Sequence, residues 1–198
     1  YPEKWPNLVD LALEKMKSAK KTNDLYASLV VIENIISTFQ FKISSERTPL
    51  EVMLKRIFPY LVNLAGTQLK NWSKDTTRIL ILILRCFYKA IYLEISGYFK
   101  DEELKFWMFL VKTVMDRDID SSLVEKTTNW KEIMERQDSE PWKLKIICCQ
   151  IICKMNYHIK KMDEKVKVIQ EIKETYLAKY SRGFLESCFR MLKGSKTH

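Results

Sequence analysis

The sequence predicts an all-α protein, a right-handed α-solenoid of three to four stacked helical hairpins, from three observations. Only four glycines and five prolines interrupt 198 residues, too few for the turns of an all-β architecture. Apolar residues recur at three- and four-residue spacings along most of the chain, the period of a helix with one buried face. Helix pairs begin near Pro6, Pro49, Asp101 and Asp163, at successive offsets of 43, 52 and 62 residues. The first offset falls within the roughly 40–47-residue period of two-helix repeat arrays, and the others fit if their loops carry insertions. A compact up-down bundle shares this periodicity; a Pro-bent helix in the second pair favours the solenoid.

The first helix opens at about Pro6, a residue suited to an opening turn, and Leu8, Val9, Ala12, Leu13 and Met16 form its stripe. Ser18 to Asn23 is the turn. A second helix from about Asp24 to Phe41 places Leu25, Leu29, Ile32, Ile36 and Phe39 on one face and Glu33 and Asn34 on the opposite one. Thr48, Pro49, Leu50 and Glu51 then read as a capping box, with Thr three residues ahead of Glu and Pro at the first helical position. The helix that follows reaches about Trp72. Its Pro59 removes a backbone donor and crowds the preceding turn, so a kink without a break is expected near Lys55 to Ile57.

Asp75 to Leu93 is apolar on nearly every side, with Ile79 to Leu84 an unbroken branched run, and predicts a helix buried in the middle of the structure. Asp101, Glu102 and Glu103 put acid on the first turn of the next helix, where the dipole favours it, and Leu104, Trp107, Met108, Val111 and Met115 supply its stripe. Asp116 to Glu140 is polar and reads as an extended loop with one helical turn at Trp130 to Glu135. Helix returns from Pro141 to about His158, and Asp163 to Lys193 is one long helix or two joined at Gly183. The expected organisation is a single HEAT-like array over 1–193, with hairpins at about 6–41, 49–93, 101–158 and 163–193 and a frayed or vector-derived tail at 194–198.

Composition narrows the classes. A 46% apolar, 12% aromatic chain has enough apolar material for a core. Lys and Arg exceed Asp and Glu by 34 to 25, a formal charge of +9, which favours acidic partners without choosing among them. Five cysteines form an odd set without a spaced framework, which fits a reducing compartment. No apolar run approaches the ~18–20 residues of a membrane span, so no membrane insertion is expected, and the opening at Tyr1 suggests a segment of a larger protein.

No catalytic arrangement has its residues: there is no Gly-rich phosphate loop, no His-Glu-x-x-His and no Ser in a Gly-x-Ser-x-Gly turn. The sequence predicts a binding protein, not an enzyme, with no cofactor. Cys149 and Cys153 lie four apart on one helical face, a spacing two metal ligands could use, but no second pair completes a tetrahedral site and packing explains them.

Four elements occur in a telling order: Tyr1-Pro2-x-x-Trp5, then Glu46-Arg47-Thr48-Pro49-Leu50, then Trp107-x-x-Leu110-x-Lys112-Thr113-Val114-x-x-Arg117-Asp118, and last Pro141-Trp142-Lys143-x-Lys145. Together, across Tyr1 to about Met155, they resemble the importin-beta superfamily of nuclear transport receptors (karyopherins), most closely its importin seven and eight branch. The resemblance implies a fragment from about the third to sixth HEAT repeats of a longer receptor. It further implies a curved, ARM-like superhelix that carries protein cargo into the nucleus, releases it when Ran-GTP binds, and crosses the pore through weak contacts with Phe-Gly nucleoporins, shuttling between cytoplasm and nucleus. The alternative is a helical-repeat scaffold or trafficking adaptor unrelated to Ran.

Candidate contact residues are few. Lys143, Lys145, Lys154, Lys160 and Lys161 line up as a basic ridge on and just after one helix, and Lys15, Lys17, Lys20 and Lys21 form a second cluster. An acidic protein partner suits either; solvated helix faces are the plainer explanation. Phe106 and Phe109 lie off the main stripe of their helix, as a pocket for Phe-Gly repeats or as flanks buried against a neighbouring repeat. Nucleic acid is not favoured, because basic residues joined by exposed aromatics are not evident in the sequence.

Overall fold

A computed structural model describes residues 7–99, 101–118, 139–161, 173–174 and 176–194. Among them are seven α-helices: α1 (Leu8–Ser18), α2 (Thr22–Ser37), α3 (Thr48–Gln68), α4 (Lys74–Ala90), α5 (Asp101–Asp116), α6 (Glu140–Lys161) and α7 (Arg182–Gly194). A 3-10 turn at Ser44–Glu46 precedes α3, and a π-helical turn at Leu177–Ser181 leads into α7. The described residues contain no strand. The Tyr1 to Trp5 element, nearly all of the Asp116 to Glu140 loop with its helical turn, the start of the Asp163 segment and all but Gly194 of the expected tail lie outside the described residues.

The helices pack in two layers. The pairs α1/α2, α3/α4 and α5/α6 are hairpins, and α2, α4 and α6 lie side by side in one layer. In the other, α3 packs on α5 and α5 on α7, while α1 reaches α3 through an Arg56–Asp10 ion pair and Lys17 set 4.0 Å over the Tyr60 ring. Each hairpin meets mainly its neighbours, which makes the chain an α-solenoid.

Why α4 is central follows from its residues. Ile79, Leu80, Leu82, Ile83, Leu84, Cys86 and Phe87 are all buried, and the helix touches α2, α3 and α6. Each such side chain contributes roughly 1.5–3 kcal/mol by leaving water. The core continues into an aromatic knot where Phe87 stacks on Trp107 (centroids 4.7 Å, 3° between planes) and Phe58 and Phe99 pack around the pair. That knot joins α3, α4 and α5, so it belongs to the interface between two hairpins.

Several local expectations change. The helix at Thr48 forms, but Arg47 occupies the N-cap without a side-chain cap bond; Glu51, expected to close the capping box, instead accepts a hydrogen bond from Ser96 in the loop after α4. A capping box does form at α4, where Ser73 Oγ accepts from the Thr76 amide (3.2 Å) and Thr76 Oγ1 accepts from the Ser73 amide (2.7 Å). Helix α3 continues through Pro59 without a break. Helix α4 stops at Ala90 rather than Leu93, and α2 ends at Ser37, leaving Phe41 in a turn. Glu33, expected on the polar face of α2, is buried, because α2 is covered by α4 on that side. Its Oε1 lies 3.0 Å from Arg85 Nε and 2.7 Å from Lys89 Nζ, charge pairing without well-aligned hydrogen bonds.

Gly183 does not divide its helix. A Cβ there would meet Lys112 Cε at 3.0 Å, so the glycine lets α7 approach α5 closely. Nearby, Asp116 gathers Lys112 Nζ at 2.6 Å, Arg190 at 3.6 Å and the Ser187 hydroxyl.

Candidate protein-binding surface

The second helix of each hairpin ends on the same side of the fold, and an aromatic residue stands near each end: Phe41 after α2, Tyr92 after α4 and Tyr157 on the last turns of α6. Buried polar anchors fix this region. The Arg47 guanidinium, 2% exposed, donates to the Ala90 carbonyl, and His158 Nε2 lies 2.6 Å from the Ile91 carbonyl. Both groups satisfy carbonyls at the C-terminus of α4, where cations and donors are favoured. Glu94 sits 3.8 Å from Arg47. Burial, reinforced by Lys154 and Arg47, pushes the His158 pKa below its ordinary value despite the Ile91 carbonyl and Glu94. His158 is therefore neutral at pH 7, and its Nε2 carries the proton it gives to Ile91.

On this base the rings and cations form one connected strip. Phe41 meets Tyr92 edge to face at 5.2 Å, and Tyr88 meets Tyr92 at 5.6 Å. Lys154 Nζ lies over Tyr92 (4.2 Å) and Tyr157 (5.2 Å), and Lys161 Nζ lies over Tyr157 at 4.6 Å. The Tyr157 hydroxyl accepts a hydrogen bond from Lys161, and this bond first, then the charges of Lys161 and Lys154, lower its pKa. Burial raises that of Tyr88. Phe41 is 70% exposed and Tyr157 47%.

Of the candidate residues, Lys154 and Lys161 are in the strip. Lys143 is exposed at the other end of α6, about 16 Å away at 1.5 Å per residue. Lys145 is not part of a surface ridge: it is buried, and its ammonium donates to the carbonyls of Val114 and Met115 (2.8 Å each) and to that of Arg117. Desolvation lowers its pKa. Phe106 is half-buried, edge-on to Trp107, whereas Phe109 on α5 is 60% exposed. Cys149 hydrogen-bonds Cys188 of α7, and burial pushes its thiol up to about 11. Among the described residues no three His, Cys, Asp or Glu side chains are grouped to hold a metal ion, and no helix is long and apolar enough to cross a membrane.

Sequence reasoning missed the strip because its members lie on three elements. The available signal was an aromatic residue near the end of the second helix in each of three hairpins.

No family model matches the chain, and no solved structure matches it. It is similar to curated proteins: 23% identical to importin-8 of Danio rerio and 20% identical to importin-8 of Homo sapiens, each over 97% of this chain. It is also 27% identical, over 60% of its length, to the importin beta-like SAD2 homolog of Arabidopsis thaliana. The chain spans less than a fifth of the length of the importin-8 of human and 12% of the plant protein. Extending along nearly the whole all-helical chain, this similarity supports a relationship to the importin family.

Proposed function

We infer that the chain is a segment of a nuclear import receptor of the importin seven and eight branch, which carries protein cargo through the nuclear pore and releases it to Ran-GTP. The observation that carries this reading is the 97% coverage by the importin-8 proteins, combined with hairpins stacked in two layers. The segment acts by binding, and the receptor shuttles between cytoplasm and nucleus. Its working surfaces are the exposed edges of the array, with Lys154 and the Tyr92–Tyr157 strip on one side and Phe109, a candidate contact for Phe-Gly repeats, on α5. Because each repeat touches mainly its neighbours, small shifts at each interface add up to a change in curvature that admits or ejects a partner.

The test is a pull-down from cell extract with the full parent protein, in the presence of Ran locked with GTP or loaded with GDP. Cargo recovered with GDP-Ran and lost with GTP-Ran is the expected outcome. A scaffold or adaptor unrelated to Ran has the same helical layers, and partners held equally in both nucleotide states would identify it.

A further inference from the structure

We propose that the strip formed by Phe41, Tyr92, Lys154, Tyr157 and Lys161 is a docking site for an acidic, extended peptide segment of a partner protein, with an apolar side chain beside its carboxylates. This deepens the reading of the chain as a binding segment and rests on it, but requires nothing of Ran.

Charge and geometry carry the proposal. Among the described residues no carboxylate pairs with Lys154 or Lys161; their contacts are Tyr92 and Tyr157. A ring face holds an ammonium in place without neutralising it, so two oriented positive charges remain for a ligand. Three nearby cations are instead paired within the fold: Arg85 and Lys89 with Glu33, and Arg47 with the Ala90 carbonyl and Glu94. Beside the charges, Phe41, which meets Tyr92, is 70% exposed, a surface for one apolar side chain. The contacts from Phe41 to Lys161 are each 4.2 to 5.2 Å, so the strip is continuous and suits a chain lying along it.

A single-stranded nucleic acid would also seek cations and rings, but bases bind by stacking on open ring faces. Here the ammoniums lie over the faces of Tyr92 and Tyr157. Carboxylates approach the ammoniums from outside and leave this arrangement intact.

The experiment uses the full 198-residue chain and fluorescence anisotropy. The probes are a labelled hexapeptide of five glutamates and one central phenylalanine, the same peptide with glutamines, and an oligouridine of matched charge. The acidic peptide is expected to bind at least about tenfold more tightly than the glutamine peptide, and more weakly as salt rises. Lys154→Gln with Lys161→Gln should weaken it by about tenfold, Phe41→Ala by a smaller factor, and Lys143→Gln should leave it unchanged. These are surface changes, and circular dichroism would confirm that each variant is folded. Equal binding of both peptides, tighter binding of oligouridine, equal loss with Lys143→Gln, or a strip buried between two copies in sedimentation would each overturn the proposal. Acidic-peptide binding without any Ran-dependent cargo release would sink only the transport reading; release without peptide binding would sink only this one.

Discussion

Lys145, in the first turns of α6, donates 2.8 Å hydrogen bonds to the carbonyls of Val114 and Met115 at the end of α5. A helix leaves its last carbonyls without intrahelical donors, and here a side chain from the next helix supplies them through one buried ammonium. The bond set fixes the angle at which α6 returns along α5, whatever course the chain takes between them.

Lys145→Met should therefore destabilise the protein by about 2–4 kcal/mol, since it strands buried carbonyls. Lys143→Met, two residues earlier and exposed, should change stability by less than about 0.5 kcal/mol. Urea unfolding of the two variants gives the comparison, and equal effects would contradict the assignment.

Trp107→Ala removes the ring stacked on Phe87 at the junction of the second and third hairpins. The expected loss is about 3–5 kcal/mol from transfer and cavity terms, measured by thermal unfolding. Near-ultraviolet circular dichroism should lose intensity as the aromatic knot loosens.

Ser73→Ala opens the capping box of α4 and should cost about 1 kcal/mol. Thr48→Ala should cost far less, because Arg47 rather than Thr48 holds the N-cap of α3 and no side chain bonds there.

For His158 the direction of the pH effect is set by its lowered pKa. The unfolded chain binds a proton on this residue more readily than the folded one, so its contribution is fully present above about pH 6.5 and is lost as pH falls toward the folded value. Unfolding free energy should decline on acidification below pH 6.5, and His158→Gln should flatten that part of the profile. Arg47, Lys154 and Glu94 face the ring, and a profile unchanged by the substitution would contradict the assignment to His158.

Much of the fold was legible and much of the site was not, for physical reasons that particular residues show. Ile79 to Leu84 announces a buried central helix because only a helix covered on several sides tolerates that run. Glu33 was misplaced because periodicity assigns one buried face to a helix, whereas α2 is also flanked by α4. The capping box at Ser73 was obscured by Thr76 standing where Glu or Gln is usual. Lys145 looked like a surface cation since spacing along one helix says nothing of a neighbouring helix end. The strip joins residues as far apart in sequence as Phe41 and Lys161, a proximity created only by stacking.

Native-state hydrogen exchange along the whole chain tests that stacking most directly. If each hairpin hides its apolar flank only against its neighbours, the amides of α4 should exchange slowest and those of α1 and α7 markedly faster, in a gradient from the middle outward. Uniform protection of all seven helices, lost together in one cooperative opening, would contradict the layered array.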